Sequence, residues 1–229
     1  MSHSKRYENN LSKIDRNREY GLDEAADIIA SLSVPKFDES VDLSINLGVD
    51  PKHADQIVRG TVSLPNGTGK EVVVLVFAKD DLAKQAKDAG ADYVGDSDMV
   101  EKVKAGWTDV DVIVSTPDMM GEVGKLGRVL GPRGLMPNPK TGTVTTDISK
   151  TISEIKAGKI EFRVDKYGII HNSIGKVSFS KDKLVENIKV FVGAISKAKP
   201  QAAKGTYMKK VTLSSTMGPG IKLDRSNFI

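Results

Sequence analysis

The sequence predicts a split α+β domain, built from both ends of the chain, with a small doubly wound α/β domain inserted between its two parts. Apolar and polar residues alternate strictly at 41–47, as in a half-buried strand. The middle third begins instead with the continuous apolar run EVVVLVFA, which suits a strand covered on both faces of a parallel sheet. Alternation returns in the last third. The predicted domains are therefore 1–67 plus 159–229 and 68–158, joined by two chain crossings that form a hinge.

The first segment of the split domain is predicted to hold one helix and two strands. Leu22, Ala25, Ala26, Ile29 and Leu32 recur at helical spacing, and Pro35 prevents the helix from continuing. Two strands follow, ESVDLSINLGVD and IVRGTVSL. The second leads into PNGTG, a turn-rich stretch that is the first hinge candidate.

Strands and helices alternate in the inserted domain, which indicates βαβ units. After EVVVLVFA, the predicted order is a helix ending near Gly90, the strand ADYV, a helix over 97–105, the strand DVIVS and a helix carrying Ile148, Ile152 and Ile155. Gly158 closes the last helix and marks the second crossing.

The last third is predicted to be antiparallel sheet and one long helix. KIEFRV, YGIIH and KVSFS are predicted strands, and a helix begins near Lys181 and ends before Pro200. KGTYMKKVTLSSTMG is predicted to be a long final strand.

The charge distribution indicates a polyanionic partner for the end of the chain. Residues 159–229 contain 14 basic and 5 acidic side chains, a net charge of +9, whereas 1–67 carries −3 and 68–158 carries −2. A basic excess confined to one segment is typical of a face that meets nucleic acid. The alternative is that a Lys-rich tail only aids solubility. No apolar run suits a signal peptide or a membrane span.

Motifs for catalysis or metal binding do not occur. The chain lacks Cys, which excludes disulfides and zinc–thiolate sites. PNGTGKE has Leu64 and Glu71 where a Walker loop needs Gly and Ser or Thr, and Gly121, Gly124 and Gly127 have the wrong spacing for a dinucleotide site. The three histidines have no ligand spacing. A nucleotide-binding enzyme that uses the inserted domain stays open as the rival hypothesis.

The segment GRVLGPRGLMPNPKTGTV (127–144) holds four glycines and three prolines, so it predicts short helical turns followed by a proline-fixed loop. Together with PKFDESV, DQIVRGTVSLPNGTGK, AGADYVG, IKAGKIEFRVDK and SSTMGPG, it resembles segments of the bacterial ribosomal protein L-one family, in family order. The resemblance covers essentially the whole chain, and its phrases are long enough to be specific.

That resemblance implies a non-enzymatic protein of the large ribosomal subunit, in the cytoplasm, with a split RNA-binding domain and an inserted Rossmann-like three-layer domain. Its implied partners are the stalk region of large-subunit ribosomal RNA, deacylated tRNA at the exit site, and the leader of its own operon mRNA, whose translation it represses. A third hypothesis keeps RNA binding but makes translational repression the main role. The resemblance implies no cofactor, no metal, no membrane, and a monomer outside the ribosome.

Carried over residue by residue, the family's RNA site falls on two clusters and a third group. The first cluster is Lys36, Phe37 and Ser40; the second is Thr216, Met217 and Gly218; the third group is Arg163, Lys166 and His171. Hydroxyls and a bare Gly backbone allow close approach to the 2′-OH of RNA, and basic side chains serve phosphates. Arg128, Arg133 and Lys140 in the Gly/Pro segment either face tRNA or belong to a purely structural loop.

Overall fold

A computed structural model describes residues 4–32 and 35–228 of the chain. Contacts between Cα atoms divide it into two compact units, one comprising the residues up to Gly69 and from Ile160 onwards, the other Lys70–Lys159. Over these residues the protein is a mixed α/β structure with three separate sheets. The hinge at the crossings stays a prediction.

The first unit combines helices and strands from both ends of the chain. Its helices are α1 (Lys5–Leu11), α2 (Leu22–Ser31) and α8 (Lys181–Lys197). Its strands are β1 (Ser40–Leu47), β2 (Arg59–Ser63), β6 (Lys159–Arg163), β7 (Ile169–Lys176), β8 (Met208–Ser215) and β9 (Ile221–Leu223).

A four-stranded sheet in the order β7-β1-β8-β9, with the turns that adjoin its strands, carries most of the residues that the sequence analysis selected as RNA-binding candidates. All three of its strand pairs are antiparallel. Strand β1 alternates as the sequence predicts: Val41, Leu43, Ile45 and Leu47 are buried, and the intervening residues are partly exposed. One face of the sheet therefore covers the core and the other stays polar.

Helices α2 and α8 cover the apolar face of the sheet. The α8 side chains Leu184, Ile188, Phe191, Val192 and Ile195 are buried in one core together with the inward residues of β1 and β8. Phe162 of β6 meets Phe191 edge-on, with ring centroids 5.9 Å apart. Edge-to-face rings add to the free energy gained by burying their area.

Three features of the first unit differ from the sequence-based prediction. Residues 177–179 of KVSFS form a turn rather than a new strand, since Phe179 N–H donates to the Lys176 carbonyl at 3.0 Å. Val177 and Phe179 still pack against the core, which explains their misleading alternation. The final strand ends at Ser215, and the short β9 follows it after a turn. Helix α1 was not predicted from its largely polar sequence.

The second unit is a three-layer α/β structure. Its parallel sheet has the order β4-β3-β5, formed by β3 (Val74–Phe77), β4 (Tyr93–Gly95) and β5 (Val112–Ser115). Its helices are α3 (Asp80–Asp88), α4 (Ser97–Lys104), α5 (Met120–Val123), α6 (Gly127–Leu130) and α7 (Ile148–Lys156). Buried residues of α3 and α7 pack on one face of the sheet, and those of α4, α5 and α6 pack on the other.

The Gly/Pro segment adopts the short helical turns and loop that its composition predicts. After α6 the chain forms a loop and a 3-10 turn at Pro139–Thr141, then returns to the end of β5. Ser115 N–H donates to the Thr143 carbonyl at 2.9 Å, and Thr145 N–H donates to the Ser115 carbonyl at 3.1 Å. The loop therefore lies against the carboxyl end of β5, the side on which open α/β sheets bind ligands.

Candidate nucleic-acid interface

Hydrogen bonds join the two predicted RNA-binding clusters at one end of the four-stranded sheet. Ser40 N–H donates to Thr216 Oγ1 at 3.1 Å, and Thr216 N–H donates to the Ser40 carbonyl at 3.1 Å. These residues lie 176 positions apart in sequence. We call the group Lys36, Phe37, Ser40, Thr216, Met217 and Gly218 the strand-end cluster.

The strand-end cluster presents two large apolar side chains to solvent. Phe37 is 53% exposed and Met217 is 51% exposed, and each is within three residues of the Ser40–Thr216 pair. Isolated exposed apolar residues are ordinary. Here the hydrogen-bonded pair places both of them at the same sheet end, and Lys36 beside Phe37 is exposed as well. Apolar surface next to a cation suits a ribose or base face with its phosphate.

Glu39 holds the strand-end cluster together, although the sequence analysis did not select it. It is 2% exposed, and its Oε1 accepts a hydrogen bond from Met217 N–H at 3.0 Å. Its backbone carbonyl accepts from Val177 N–H at 2.9 Å. The sequence did indicate this position, because Glu39 is two residues before Val41 and so continues the alternation of buried residues in β1. Its side chain therefore points to the covered face of the sheet.

Two further polar contacts fix the turn that enters β1. Lys176 Nζ donates to Ser40 Oγ at 3.0 Å, and Ser178 Oγ donates to an Asp38 carboxylate oxygen at 2.7 Å. The ends of β1 and β7 are thereby linked by side chains as well as by the ladder. The backbone that follows Phe37 is consequently held at Asp38 and at Ser40.

Gly218 is the tightly packed member of the strand-end cluster. A Cβ at this position would lie 2.4 Å from Ser215 Oγ and 3.5 Å from Leu32 Cδ1. Ser215 is 3% exposed, and its hydroxyl has no hydrogen-bond partner among the described residues. The hydroxyl therefore occupies the space that a larger residue at 218 would need.

We expect Gly218→Ala to lower the free energy of unfolding by about 1–2 kcal/mol, because Ser215 must move to admit the new methyl group. Ser215→Ala alone is expected to be neutral or stabilising, since it removes an unpaired buried hydroxyl. The double variant should recover most of the loss. Urea unfolding of the four proteins measures this, and an additive double variant would contradict the steric explanation.

His171 lies on the open face of the same sheet, nearer its middle. Its Nδ1 shares a 3.0 Å hydrogen bond with Ser44 Oγ, and its Nε2 is 4.0 Å from Asp165 Oδ2. Burial raises the pKa of the Asp165 carboxyl, but hydrogen bonds from Ile169 and Tyr167 N–H, with the nearby His171, outweigh it and leave that pKa below its ordinary value. Asp165 thus stays ionised beside the imidazole.

The structure does not bring Arg163 and Lys166 to the strand-end cluster. The hairpin that carries them adjoins the other end of β1, where Asn46 faces Ile169. Asn46 is six positions from Ser40 along β1, which is roughly 20 Å at about 3.4 Å per residue. Both side chains are exposed, and Lys166 Nζ lies 5.1 Å from the Tyr167 ring centroid. Burial raises the pKa of the neighbouring Glu161, while Arg163 and Arg59 partly oppose that rise.

The three basic residues of the Gly/Pro segment have different surroundings. Arg128 and Lys140 are exposed, and neither basic side chain has a hydrogen bond or ion pair in the described parts of the chain. The Arg133 guanidinium instead donates to Thr108 Oγ1, a buried hydroxyl. Arg133 therefore has a structural contact within its own unit.

Over residues 4–32 and 35–228, no group of three His, Asp or Glu side chains is arranged to hold a metal ion. No helix in the described part of the chain has both the length and the apolar character needed to cross a membrane.

Comparisons with known proteins show which proteins the chain is similar to. The model of the ribosomal protein L1p/L10e family matches residues 29–219. The large ribosomal subunit protein uL1 of Protochlamydia amoebophila (strain UWE25) is 59% identical over 221 residues, which cover 96% of this chain and 94% of that protein. The matched range spans the strand-end cluster from Lys36 to Gly218.

Proposed function

The chain belongs to the ribosomal protein L1p/L10e family, a family of structural proteins of the ribosome and not of enzymes, and from this we propose that it binds large-subunit ribosomal RNA directly through the strand-end cluster. The observation that carries the proposal is the pairing of Ser40 with Thr216, which sets exposed Phe37 and Met217 at one sheet end. The net charge of +9 over 159–229 supports it.

Within that function, the unit formed by both chain ends is the RNA-binding domain, and the unit Lys70–Lys159 is an inserted, hinged domain. The protein forms part of the mobile stalk near the tRNA exit site and aids release of deacylated tRNA. Exposed Arg128 and Lys140 are the candidates for contact with tRNA. It also represses translation by binding the leader of its own operon mRNA, and it is a monomer outside the ribosome.

Footprinting on large-subunit RNA tests the partner and the site together. The wild-type chain should protect one compact region in the stalk, with affinity that falls steeply as salt rises, because phosphate contacts release counterions. Protection of scattered duplexes with equal affinity for unrelated RNA would contradict the proposal. The leader of the operon mRNA should compete for the same surface.

We expect the split unit to bind RNA without the insert. Replacing residues 70–158 by a short Gly/Ser linker should leave the dissociation constant for the stalk transcript within about threefold of the full chain, because the strand-end cluster and its core lie in the retained unit. Strands β2 and β6, which lie on either side of the linker in sequence, pair with each other in a two-stranded sheet. Fluorescence anisotropy measures the affinity, and the isolated 70–159 unit is the control. A folded deletion variant that no longer binds would contradict the assignment.

A further inference from the structure

A cleft of about 570 Å³ lies between the N-terminal segment and the β8–β9 hairpin, beside the strand-end cluster. Tyr7, Leu11 and Arg16 line it from the N-terminal segment, and Thr212, Gly220 and Lys222 line it from the hairpin. Gly220 is two residues beyond Gly218, so the cleft and the cluster share one turn. Its volume falls within the roughly 300–1,000 Å³ of pockets that hold small ligands. We call it the N-terminal cleft.

The N-terminal cleft carries two unpaired cations. Arg16 and Lys222 are exposed, and neither side chain has an ion pair or hydrogen bond within the described parts of the chain. None of the described residues that line the cleft is acidic. Thr212 lies directly opposite Lys222 in the β8–β9 pair, so a hydroxyl side chain and a lysine side chain are on the same face of the sheet. This combination of charge and polarity favours a phosphate and its sugar.

Backbone contacts hold the two walls of the cleft in fixed register. Tyr20 N–H donates to the Lys222 carbonyl at 2.9 Å, and Asp224 N–H donates to the Tyr20 carbonyl at 2.9 Å. The Tyr20 hydroxyl accepts from Asp15 N–H at 2.7 Å, next to Arg16. The loop that carries Arg16 is thereby attached to the strand that carries Lys222. A cleft preorganised in this way loses little entropy when a ligand enters it.

We propose that the N-terminal cleft receives one nucleotide of the bound RNA, which extends the interface from the strand-end cluster to the N-terminal segment. This inference rests on the proposed RNA-binding function. Arg16 and Lys222 bind the phosphate, the Thr212 hydroxyl and the Gly220 backbone lie against the ribose, and Tyr7 and Leu11 contact the base.

Two variants test separately the contribution of a cation and the contribution of the open volume of the cleft to RNA binding. Lys222→Ala removes one cation, and we expect it to weaken binding to the stalk-region transcript several-fold and to reduce the slope of log K against log salt by about 1. Thr212→Trp fills the cleft without changing its charge. It should weaken binding about tenfold, with an unchanged slope, and should expose one nucleotide to hydroxyl-radical cleavage. Lys189→Ala on α8 and Ser63→Trp on β2 are the matched controls, and thermal unfolding checks each fold.

The outcomes distinguish this proposal from the one beneath it. If the wild-type chain does not bind the transcript, or Met217→Asp binds as well as wild type, the proposed RNA site itself fails. If Met217→Asp is weakened while Lys222→Ala and Thr212→Trp match their controls in affinity, slope and footprint, only the cleft proposal is overturned. It is also overturned if Lys222→Ala weakens binding to polyuridine of equal length as much as to the transcript and Thr212→Trp changes nothing. That result would mean diffuse attraction rather than a seated nucleotide.

Discussion

Met217→Asp is expected to weaken binding to the stalk transcript about a hundredfold, the scale of a central interface residue, while leaving the fold intact. The Met217 side chain is half exposed, so its replacement removes little core packing. The new carboxylate would lie beside the Ser40–Thr216 pair, where the proposal places RNA phosphates and sugars. Lost apolar contact and charge repulsion act in the same direction. Anisotropy titration at constant salt measures the change.

Val190→Asp is the matched control for this experiment. Val190 is 38% exposed on the outer face of α8, so the substitution adds the same charge at a similarly exposed apolar position. We expect its affinity to stay within about twofold of wild type, since a remote charge in salt is largely screened. Equal losses in both variants would show a general effect of charge and would remove the case for the strand-end cluster.

Glu39→Ala should affect both stability and RNA affinity, because Glu39 supports the cluster without lying on its surface. The change leaves the Met217 N–H without its carboxylate acceptor. A buried group left unpaired costs about 1–3 kcal/mol of the free energy of unfolding. With one hydrogen bond of the turn at Met217 lost, we expect affinity for the transcript to fall about tenfold. Urea unfolding and anisotropy below the unfolding transition measure the two effects.

Glu39→Gln shows whether the effects of Glu39→Ala come from the lost hydrogen bond or from the lost charge. The amide keeps an oxygen acceptor of the same size but carries no charge. We expect it to restore most of the stability and most of the affinity. If Gln behaves like Ala, the charge of Glu39 matters more than its hydrogen bond, and the positioning role assigned here would be wrong.

The hydrophobic periodicity of the sequence predicted those helices and strands that bury one face in the core. It missed elements that are short or that contribute little to the core. Leu43 and Ile45 alternate with Ser44 because one face of β1 covers the core, and the strand was predicted correctly. Helix α1 was missed because it lines a cleft over the polar face of the sheet and contributes little to the core. The only helix signal in its sequence is the N-cap residue Ser4. In the structure, Ser4 Oγ accepts a hydrogen bond from Tyr7 N–H at 3.3 Å. Strand β9 is three residues long, too short for a pattern.

The candidate site was accessible from sequence mainly through resemblance. Nothing in the spacing of Ser40 and Thr216 indicates that their backbones are hydrogen bonded, since register between distant strands follows from the tertiary structure. Glu39 could have been found, because a carboxylate in phase with buried Val41 demands a partner. Arg16 and Lys222 could not, since solvated charges on separate segments carry no sign of a shared cleft.

The pairing of Ser40 with Thr216 also has a consequence for the timing of biosynthesis. A ribosome that adds about 5–20 residues per second needs roughly 10–35 s to make the 176 positions between them. Until then β1 lacks its β8 neighbour, and the cluster has only one of its two halves. A chain truncated before Thr216 lacks half of the strand-end cluster, so under the proposed function only chains whose synthesis has passed Thr216 can bind the RNA.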